Sequence, residues 1–282
     1  LSSFHGALSS GGSFYYHADL RVSSVVPPLG PERGGTRVSV LGSGFKDAYT
    51  LRCRFDNSSS AVLARYIDES QLECVTPLHS LGAKPVLLSM NAQQYSGDDG
   101  VSFTYQAAAT VSHVSPSVVL AEGGTPVTVH GSGFSLASES LGYLLCRIGT
   151  TVRRARWASS TALVCNSTRM QGGEARVEVS NNAREYTSDA ARLSFVSVRV
   201  LDVQPWSGPQ LGSTVVSVRG RGVLPGVLRC AFGESEPSVA WSGGASRLRC
   251  ESSSSGVTGW VGVQLSSFHG ALSSGGSFYY HA

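Results

Sequence analysis

The stretch VSSVVPPLGPERGGTRVSVLGSGF, residues 22–45, carries the signals that decide the fold of this chain. It opens with valines and prolines, passes through a glycine pair, and ends in alternating valines followed by Gly-Ser-Gly-Phe. Alternating apolar and polar residues are typical of a half-buried β-strand, and glycines mark turns that need positive φ. The stretch therefore predicts two short strands joined by a glycine turn, with Phe45 in the core.

The same pattern occurs twice more along the chain. VSHVSPSVVLAEGGTPVTVHGSGF begins at Val111 and VLDVQPWSGPQLGSTVVSVRGRGV begins at Val200, so consecutive starts are 89 residues apart, counting from Val22. Internal repetition at a fixed period indicates tandem copies of one structural unit. The third copy has Val223 where the others have phenylalanine, which predicts a weaker core contact there.

The composition limits the class of protein. Of the 282 residues, 41% are hydrophobic and 15% are charged, and the net charge is +3. So small a net charge gives no indication of a nucleic-acid partner, and no apolar run approaches the length of a membrane-spanning helix. Short alternating stretches and the lack of an amphipathic helical pattern predict an all-β sandwich or barrel without helices.

Six cysteines are distributed two per repeat, with separations of 21, 19 and 20 residues. The pairs are Cys53 and Cys74, Cys146 and Cys165, and Cys230 and Cys250. One pair per repeat predicts three intradomain disulfides, although six cysteines formally allow fifteen pairings. Metal sites or free core thiols are the alternatives, and the pairs lack a histidine at ligand spacing. Disulfides predict an oxidising, extracellular or cell-surface location.

GPERGGTRVSVLGSGF and LAEGGTPVTVHGSGF, each followed by two cysteines, resemble the characteristic opening of the IPT/TIG domain family. GSTVVSVRGRGV departs from this opening at the phenylalanine position. The resemblance implies an immunoglobulin-like β-sandwich for each repeat. Domains of this family occur in plexin-type receptors, fibrocystin-like ectodomains, bacterial surface proteins, transcription factors and starch-acting enzymes, so the resemblance implies a fold and leaves the function open.

The chain begins and ends with the same eighteen residues, LSSFHGALSSGGSFYYHA, starting at Leu1 and Leu265. The two copies are 264 residues apart, which is nearly three repeat steps. We therefore expect residues 1–18 to be the C-terminal strands of a preceding third-type domain, within a tandem array whose unit is a triplet. The alternative is that residues 1–18 complete a third-type domain of a neighbouring chain by strand exchange.

The repeats predict IPT/TIG domains at residues 19–108, 109–197 and 198–282. The linkers between them are short and lack a run rich in glycine and serine. Such linkers restrict hinge motion, which predicts an elongated, semi-rigid rod in which each domain contacts mainly its neighbours.

Three stretches are candidates for covalent glycans. Asn57-Ser58-Ser59 and Asn166-Ser167-Thr168 are acceptor sequons for N-glycosylation, although such tripeptides also arise by chance. The run Ser252, Ser253, Ser254 and Ser255 is a candidate for O-glycosylation or, equally, a solvated loop. Glycans on exposed edges would prevent sideways strand pairing.

No motif predicts catalysis or a cofactor. The stretch GDDG at 97–100 favours a polar hairpin turn over a calcium loop, and RRARW at 153–157 favours an exposed strand face over a protease or anion site. The histidines show no metal-binding spacing, and there is no P-loop, dinucleotide motif or nucleophile elbow. We therefore expect that the chain is not an enzyme and binds no cofactor.

These observations favour a structural, non-catalytic repeat segment of an extracellular, glycosylated fibre or surface coat. Its partners would be adjacent repeats of itself and glycans. The alternative is a receptor or adhesin ectodomain that binds a protein or glycan partner. A nucleic-acid-binding module is a third hypothesis, against which the paired cysteines and the sequons argue.

Overall fold

The computed structural model describes residues 19–282, apart from 57–60, 98, 190, 224–227, 245 and 268–271. These residues form tandem β-sandwiches, which confirms the predicted all-β, immunoglobulin-like fold class. The sequence predicted no helix, but Leu136–Ser140 forms one helical turn (α1). It begins because the Ser135 side chain accepts a hydrogen bond from the backbone N–H of Ser138, a helix-start signal that a five-residue segment without periodicity conceals.

Residues 19–106 form one compact unit, here called the first sandwich. Its strands are β1 (Arg21–Val26), β2 (Leu29–Pro31), β3 (Arg37–Ser43), β4 (Arg52–Arg54), β5 (Ala61–Asp68), β6 (Gln71–Val75), β7 (Gly82–Pro85), β8 (Leu87–Ser89) and β9 (Ser102–Gln106). The strand orders are β1-β3-β6-β5-β4-β8 and β2-β9-β7. Strand β5 pairs with β6 through one half and with β4 through the other, so it joins the two parts of the six-stranded sheet. Residues of both sheets contribute to one core.

Residues 107–282 form a second compact unit, which contains two cores. The second sandwich contains β10 (Thr110–Ser115), β11 (Val118–Leu120), β12 (Pro126–Ser132), α1, β13 (Leu145–Ile148), β14 (Thr151–Arg154), β15 (Arg156–Ser159), β16 (Ala162–Asn166), β17 (Gly173–Ser180) and β18 (Arg192–Val196). Its layers have the orders β10-β12-β16-β15 and β11-β18-β17-β13-β14. Leu120 of this sandwich is buried in the core of the next one.

The third sandwich repeats this topology. It contains β19 (Arg199–Gln204), β20 (Ser207–Pro209), β21 (Val215–Arg221), β22 (Leu228–Phe232), β23 (Ser238–Val239), β24 (Trp241–Ser242), β25 (Arg247–Glu251), β26 (Gly259–Ser267) and β27 (Leu272–His281). Its layers have the orders β19-β21-β25-β24 and β20-β27-β26-β22-β23. The predicted domain bounds and the predicted rod remain predictions.

The glycine turn of the opening stretch has the same conformation in each sandwich. Gly34 and Gly35 both have positive φ, and so do the corresponding pairs Gly123–Gly124 and Gly212–Ser213. The threonine that follows each turn donates a hydrogen bond from its backbone N–H to a side-chain hydroxyl, an interaction here called the hydroxyl clamp. The acceptor hydroxyls are those of Thr76, Ser167 and Ser252, at 3.1, 3.0 and 3.2 Å.

The predicted phenylalanine contacts are present. Phe45 and Phe134 are buried, and each ring lies over the glycine three residues earlier. A Cβ atom added at Gly42 or Gly131 would approach the ring Cζ atom to 2.7 or 2.8 Å. In the third sandwich Val223 contacts its own core but is only partly buried.

The GDDG stretch has a structural role in the first sandwich. The carboxylate of Asp99 accepts a hydrogen bond of 2.8 Å from the backbone N–H of Val22, at the bulge that interrupts β1. Asp189 makes the same contact with Val111 in the second sandwich. Asp98 lies outside the described residues. Asp99 satisfies a backbone donor that the bulge withdraws from the ladder, and the hairpin turn expected at 97–100 remains a prediction.

Replacing Asp99 by alanine is therefore expected to reduce the free energy of unfolding of the first sandwich by about 1–2 kcal/mol, because the Val22 N–H loses a charged acceptor. Hydrogen exchange of peptides from residues 19–106 would measure the change. The exposed Asp47 provides the control, since Asp47→Ala is expected to change stability by less than about 0.5 kcal/mol. Equal effects of the two substitutions would contradict this role of Asp99.

The second copy of the repeated stretch closes the third sandwich. It begins within β26 and forms β27, where Phe278 and Tyr280 are buried and the Tyr280 hydroxyl donates to the Ser253 carbonyl at 2.7 Å. Gly276 lies against Val200 and Val203 of β19, so a side chain at this position would collide with them. The first copy, residues 1–18, lies outside the described residues. The tandem array and strand exchange both remain predictions.

Candidate binding surface

The six cysteines are buried and form three disulfides in the structure. Their Cα–Cα distances are 6.4 Å for Cys53–Cys74, 6.3 Å for Cys146–Cys165 and 6.2 Å for Cys230–Cys250, within the range of protein disulfides. In the second and third sandwiches each bond joins a strand of one layer to a strand of the other. Among the described residues no group of three histidine, cysteine or acidic side chains is placed to hold a metal ion.

One of the two sequon asparagines lies among the described residues. Asn57 lies outside the described residues, whereas Asn166 is exposed at the end of β16. The next residue, Ser167, is buried and serves the hydroxyl clamp. Asn166 lines a groove of about 490 Å³ together with Glu139, Arg154 and Arg156. Glycosylation at either asparagine remains a prediction.

The serine run is not uniform. Ser252 is buried and its hydroxyl accepts the clamp hydrogen bond from Thr214, so it is out of reach of a glycosyltransferase in the folded domain. The Ser255 hydroxyl donates to the Val257 carbonyl at 2.8 Å, while Ser253 is half-buried. Ser254 is exposed, which makes it the residue of the run best placed for O-glycosylation. The four serines cannot be distinguished from the sequence alone, because it does not show which of them forms the hydroxyl clamp.

The RRARW stretch is an exposed strand face. Arg153, Arg154 and Arg156 are exposed, whereas Ala155 is buried in the core. The Trp157 indole N–H donates to the Phe134 carbonyl at 3.1 Å. The exposed arginines, at the end of β14 and the start of β15, agree with the interpretation made from the sequence.

Among the described residues, two groups of side chains include closely packed histidines. The rings of His113 and His130 are stacked with centroids 4.4 Å apart. In the first sandwich His79 Nε2 lies 2.8 Å from Asp56 Oδ2, and its ring packs 5.1 Å from that of Tyr105. Burial, assisted by the charge of Asp56, raises the pKa of the Tyr105 phenol well above its ordinary value. Because Tyr105 is inaccessible to solvent, this group supports packing rather than proton transfer.

The third sandwich carries a group of aromatic side chains that the sequence analysis did not single out. Trp206 precedes β20, Trp260 lies on β26 and Tyr279 lies on β27; they are here called the aromatic row. The indoles are 59% and 63% exposed and nearly parallel, with centroids 5.9 Å apart and planes at 24°. The Tyr279 ring meets that of Trp260 edge-on at 5.4 Å.

Backbone pairing places these residues side by side. Trp260 is directly opposite Tyr279 on the antiparallel partner strand, and the Tyr279 N–H donates to the Trp206 carbonyl at 2.8 Å. The three side chains therefore come from three neighbouring segments of one sheet edge, although they are far apart in sequence.

The other two sandwiches have the same backbone positions but different side chains. In the first sandwich the row consists of Pro28, Ala83 and Thr104. In the second sandwich it consists of Ser117, Glu174 and Ser194. The equivalent hydrogen bonds, from Thr104 to Pro28 and from Ser194 to Ser117, measure 2.8 and 2.9 Å. The fold therefore does not require aromatic residues at these positions.

Aligning the three repeats could have found one member of the row. Trp206 follows a proline at the position of Pro28 and Ser117, which are not aromatic. The other two members could not be placed, because the strand register that brings Trp260 opposite Tyr279 is not visible in the sequence.

The first two repeats match the pattern of a known domain family. The sequence pattern of the IPT/TIG domain family matches residues 20–105 and 109–195, which together make up more than half of the chain. Among solved structures, the full extracellular region of Plexin A4, domains 1 to 10, is similar with a TM-score of 0.49 and 16% identity. That alignment covers 88% of this chain and 23% of the Plexin A4 chain.

Two curated relatives extend the comparison. Plexin-A3 of Rattus norvegicus is 26% identical over 145 residues, which is 51% of this chain and 8% of that protein. Fibrocystin-L of Homo sapiens is 24% identical over 211 residues, which is 72% of this chain and 5% of that protein. The chain thus spans less than a tenth of either relative.

Among the described residues, no helix has the length and hydrophobicity needed to span a membrane. The repeated glycine turn, the paired cysteines, the two-layer topology and the match of the family pattern to two repeats agree with one another. The chain belongs to the IPT/TIG domain family.

Proposed function

We propose that this chain is a non-catalytic segment of the extracellular part of a larger receptor- or adhesin-type protein, in which a constant frame presents different binding surfaces. The observation that carries the proposal is the contrast between frame and surface. The glycine turn, hydroxyl clamp and disulfide recur in each sandwich, while the exposed row changes from small to charged to aromatic. A fixed frame with variable surfaces suits recognition of several partners.

Two observations support an extracellular location. Three buried disulfides are stable in an oxidising compartment and are rare in the cytosol. The relatives include plexins and fibrocystin-L, and the resemblance of this chain to them favours a cell-surface location. A non-catalytic role is supported by the polar residues described above, because their hydrogen bonds stabilise turns, bulges and the hydroxyl clamp.

A structural fibre or surface coat is the second candidate. The identity of residues 1–18 with residues 265–282 favours it, because a fibre is built from identical units whereas receptor domains diverge. In that case the partners would be neighbouring repeats and glycans, and the sandwiches would be arranged as an elongated rod.

An antibody against the chain and a mass measurement test the proposal and separate the two candidates. For either candidate we expect the antibody to label intact cells without permeabilisation, and labelling only after permeabilisation would contradict an extracellular role. The deglycosylated mass and the peptide map of the native polypeptide then decide between them, because both candidates predict a polypeptide longer than one triplet. A deglycosylated mass many times that of one triplet, with a peptide map that one triplet sequence accounts for, would replace the receptor proposal with the fibre. A long polypeptide whose peptides fall mostly outside this triplet would support the receptor proposal.

A further inference from the structure

We infer that the aromatic row of the third sandwich, Trp206, Trp260 and Tyr279, is a binding platform for an uncharged polysaccharide. This inference deepens the proposed function, on which it rests, by assigning a site and a ligand class to one surface of the segment. It is carried by the geometry of the rings, the charge of their surroundings, the area of the patch and the comparison among the three sandwiches.

The rings form an open stacking surface. The two indoles are stacked on each other and each has more than half of its area exposed, so apolar ring surface outside the stack remains open to solvent. Tyr279 is half-buried and braces Trp260 from the side, so the platform is held in place before a ligand arrives. A pyranose ring has one face made of C–H bonds, which packs against such a surface. The indole N–H groups and the Tyr279 hydroxyl are polar handles at the edges of these apolar rings.

The strand positions beside the row carry no charge, and the exposed Glu234 follows Gly233, whose N–H donates to the Gly262 carbonyl at 2.8 Å. The next cross-strand pair on the same face is Gly262 and Ser277, and Gln264 follows. A Cβ atom added at Gly262 would meet no atom within 4 Å, so a chain of sugar rings can extend over this step. Arg229, which is half-buried, lies on the neighbouring strand opposite Ser266, six residues further along β26, or about 20 Å from Trp260. An anionic ligand would find no counter-charge along these positions, whereas a neutral one needs none.

The area of the row suits a sugar chain better than a protein. Three aromatic side chains bury on the order of 500 Å² when fully covered. A standard protein interface buries about 800 Å² on each partner. The row alone is therefore too small for a stable protein complex, while shallow stacking of a few sugar rings requires no more area than it provides.

The comparison among the sandwiches shows that the aromatic residues are not needed for folding. Positions with the same backbone hydrogen bonds hold Pro28, Ala83 and Thr104 in the first sandwich. They hold Ser117, Glu174 and Ser194 in the second, where Glu174 pairs with Arg192 at 3.2 Å. Large apolar side chains exposed to water without a structural purpose mark binding sites.

Affinity electrophoresis of the intact chain tests the inference. Native gels contain soluble mixed-linkage β-glucan, galactomannan or xyloglucan, with polygalacturonate as the anionic comparison. We expect at least one neutral polysaccharide to retard the chain. The variant W206S/W260E/Y279S, which carries the residues of the second sandwich, is expected to migrate as in a gel without polysaccharide. Trp260→Ala alone, which carries the residue of the first sandwich, is expected to weaken binding about tenfold.

The control is Tyr49→Ser, which removes an aromatic residue that is 92% exposed in the first sandwich. It is expected to leave retardation unchanged. Should the triple variant misfold, Trp260→Ala and Tyr279→Thr keep the test valid, because both place residues of the first sandwich at the same backbone positions. Unchanged retardation of these single variants would also overturn the inference.

Two further outcomes would overturn it. One is that no neutral polysaccharide retards the wild-type chain. The other is that the row substitutions leave retardation unchanged but dissociate a dimer in sedimentation experiments, which would make the row a protein contact. Labelling of intact cells by the antibody would leave the proposed function standing in either case, so failure of the platform and failure of the proposed function are distinguishable.

Discussion

Replacing Gly123 by alanine is expected to lower the free energy of unfolding of the second sandwich by about 3 kcal/mol or more, whereas the same change at Gly124 costs about 1 kcal/mol. The two glycines have almost the same φ, +82° and +81°, so the cost of a left-handed alanine is common to both. They differ in their surroundings. A Cβ atom at Gly123 would lie 2.5 Å from the backbone nitrogen of Arg169, while one at Gly124 meets nothing within 4 Å.

Hydrogen exchange followed by mass spectrometry would measure the effect in each sandwich separately. Gly34 and Gly35 provide an independent repeat in the first sandwich, because a Cβ atom at Gly34 would approach the Pro77 carbonyl oxygen to 2.5 Å and one at Gly35 meets nothing. All four tryptophans of the chain follow residue 106, so fluorescence would not report on the first sandwich. Equal destabilisation by the two substitutions of a pair would contradict the close approach of the turn to the neighbouring loop.

Removing the disulfide of the first sandwich by Cys53→Ala and Cys74→Ala is expected to cost about 3 kcal/mol, because the crosslink restricts a loop of 21 residues in the unfolded chain. This corresponds to roughly a hundredfold increase in the unfolded fraction. Both positions are fully buried, so alanine avoids an unpaired polar group in the core.

The loss of stability should be confined to the first sandwich. Amide exchange of peptides from residues 19–106 is expected to accelerate about a hundredfold under conditions of global opening, while peptides from 107–282 keep their wild-type rates. Reduction of the wild-type chain should produce the same acceleration in residues 19–106. Amide exchange rates in the double variant equal to those of the wild-type chain would show that the disulfide does not stabilise the first sandwich.

Much of the fold is predictable from the sequence because the same signals occur three times. The alternating valines, glycine turn and cysteine pair each satisfy a local requirement: a half-buried strand, a positive φ and a buried crosslink. Their repetition at 89 residues makes chance agreement negligible. The match of the family pattern to residues 20–105 and 109–195 confirms the interpretation of the first two repeats.

The remaining features depend on contacts that the sequence does not display. The aromatic row needs the pairing of Trp260 with Tyr279 and the backbone bond from Tyr279 to Trp206, both long-range. The buried state of Ser252 depends on its bond with Thr214, and the role of Asp99 depends on a bulge 77 residues earlier. Such non-local contacts determine which polar residues remain available for function.

The central claim is that the chain is an extracellular segment of disulfide-closed sandwiches, and the thiol state of its cysteines in the native protein tests this most directly. Protein from the cells that produce it is denatured in excess alkylating reagent, before or after reduction, and its peptides are mapped. The account predicts that no cysteine is labelled before reduction, that all six are labelled afterwards, and that the linked peptides contain Cys53–Cys74, Cys146–Cys165 and Cys230–Cys250. Labelled cysteines before reduction would show a reduced, intracellular protein and would contradict the account.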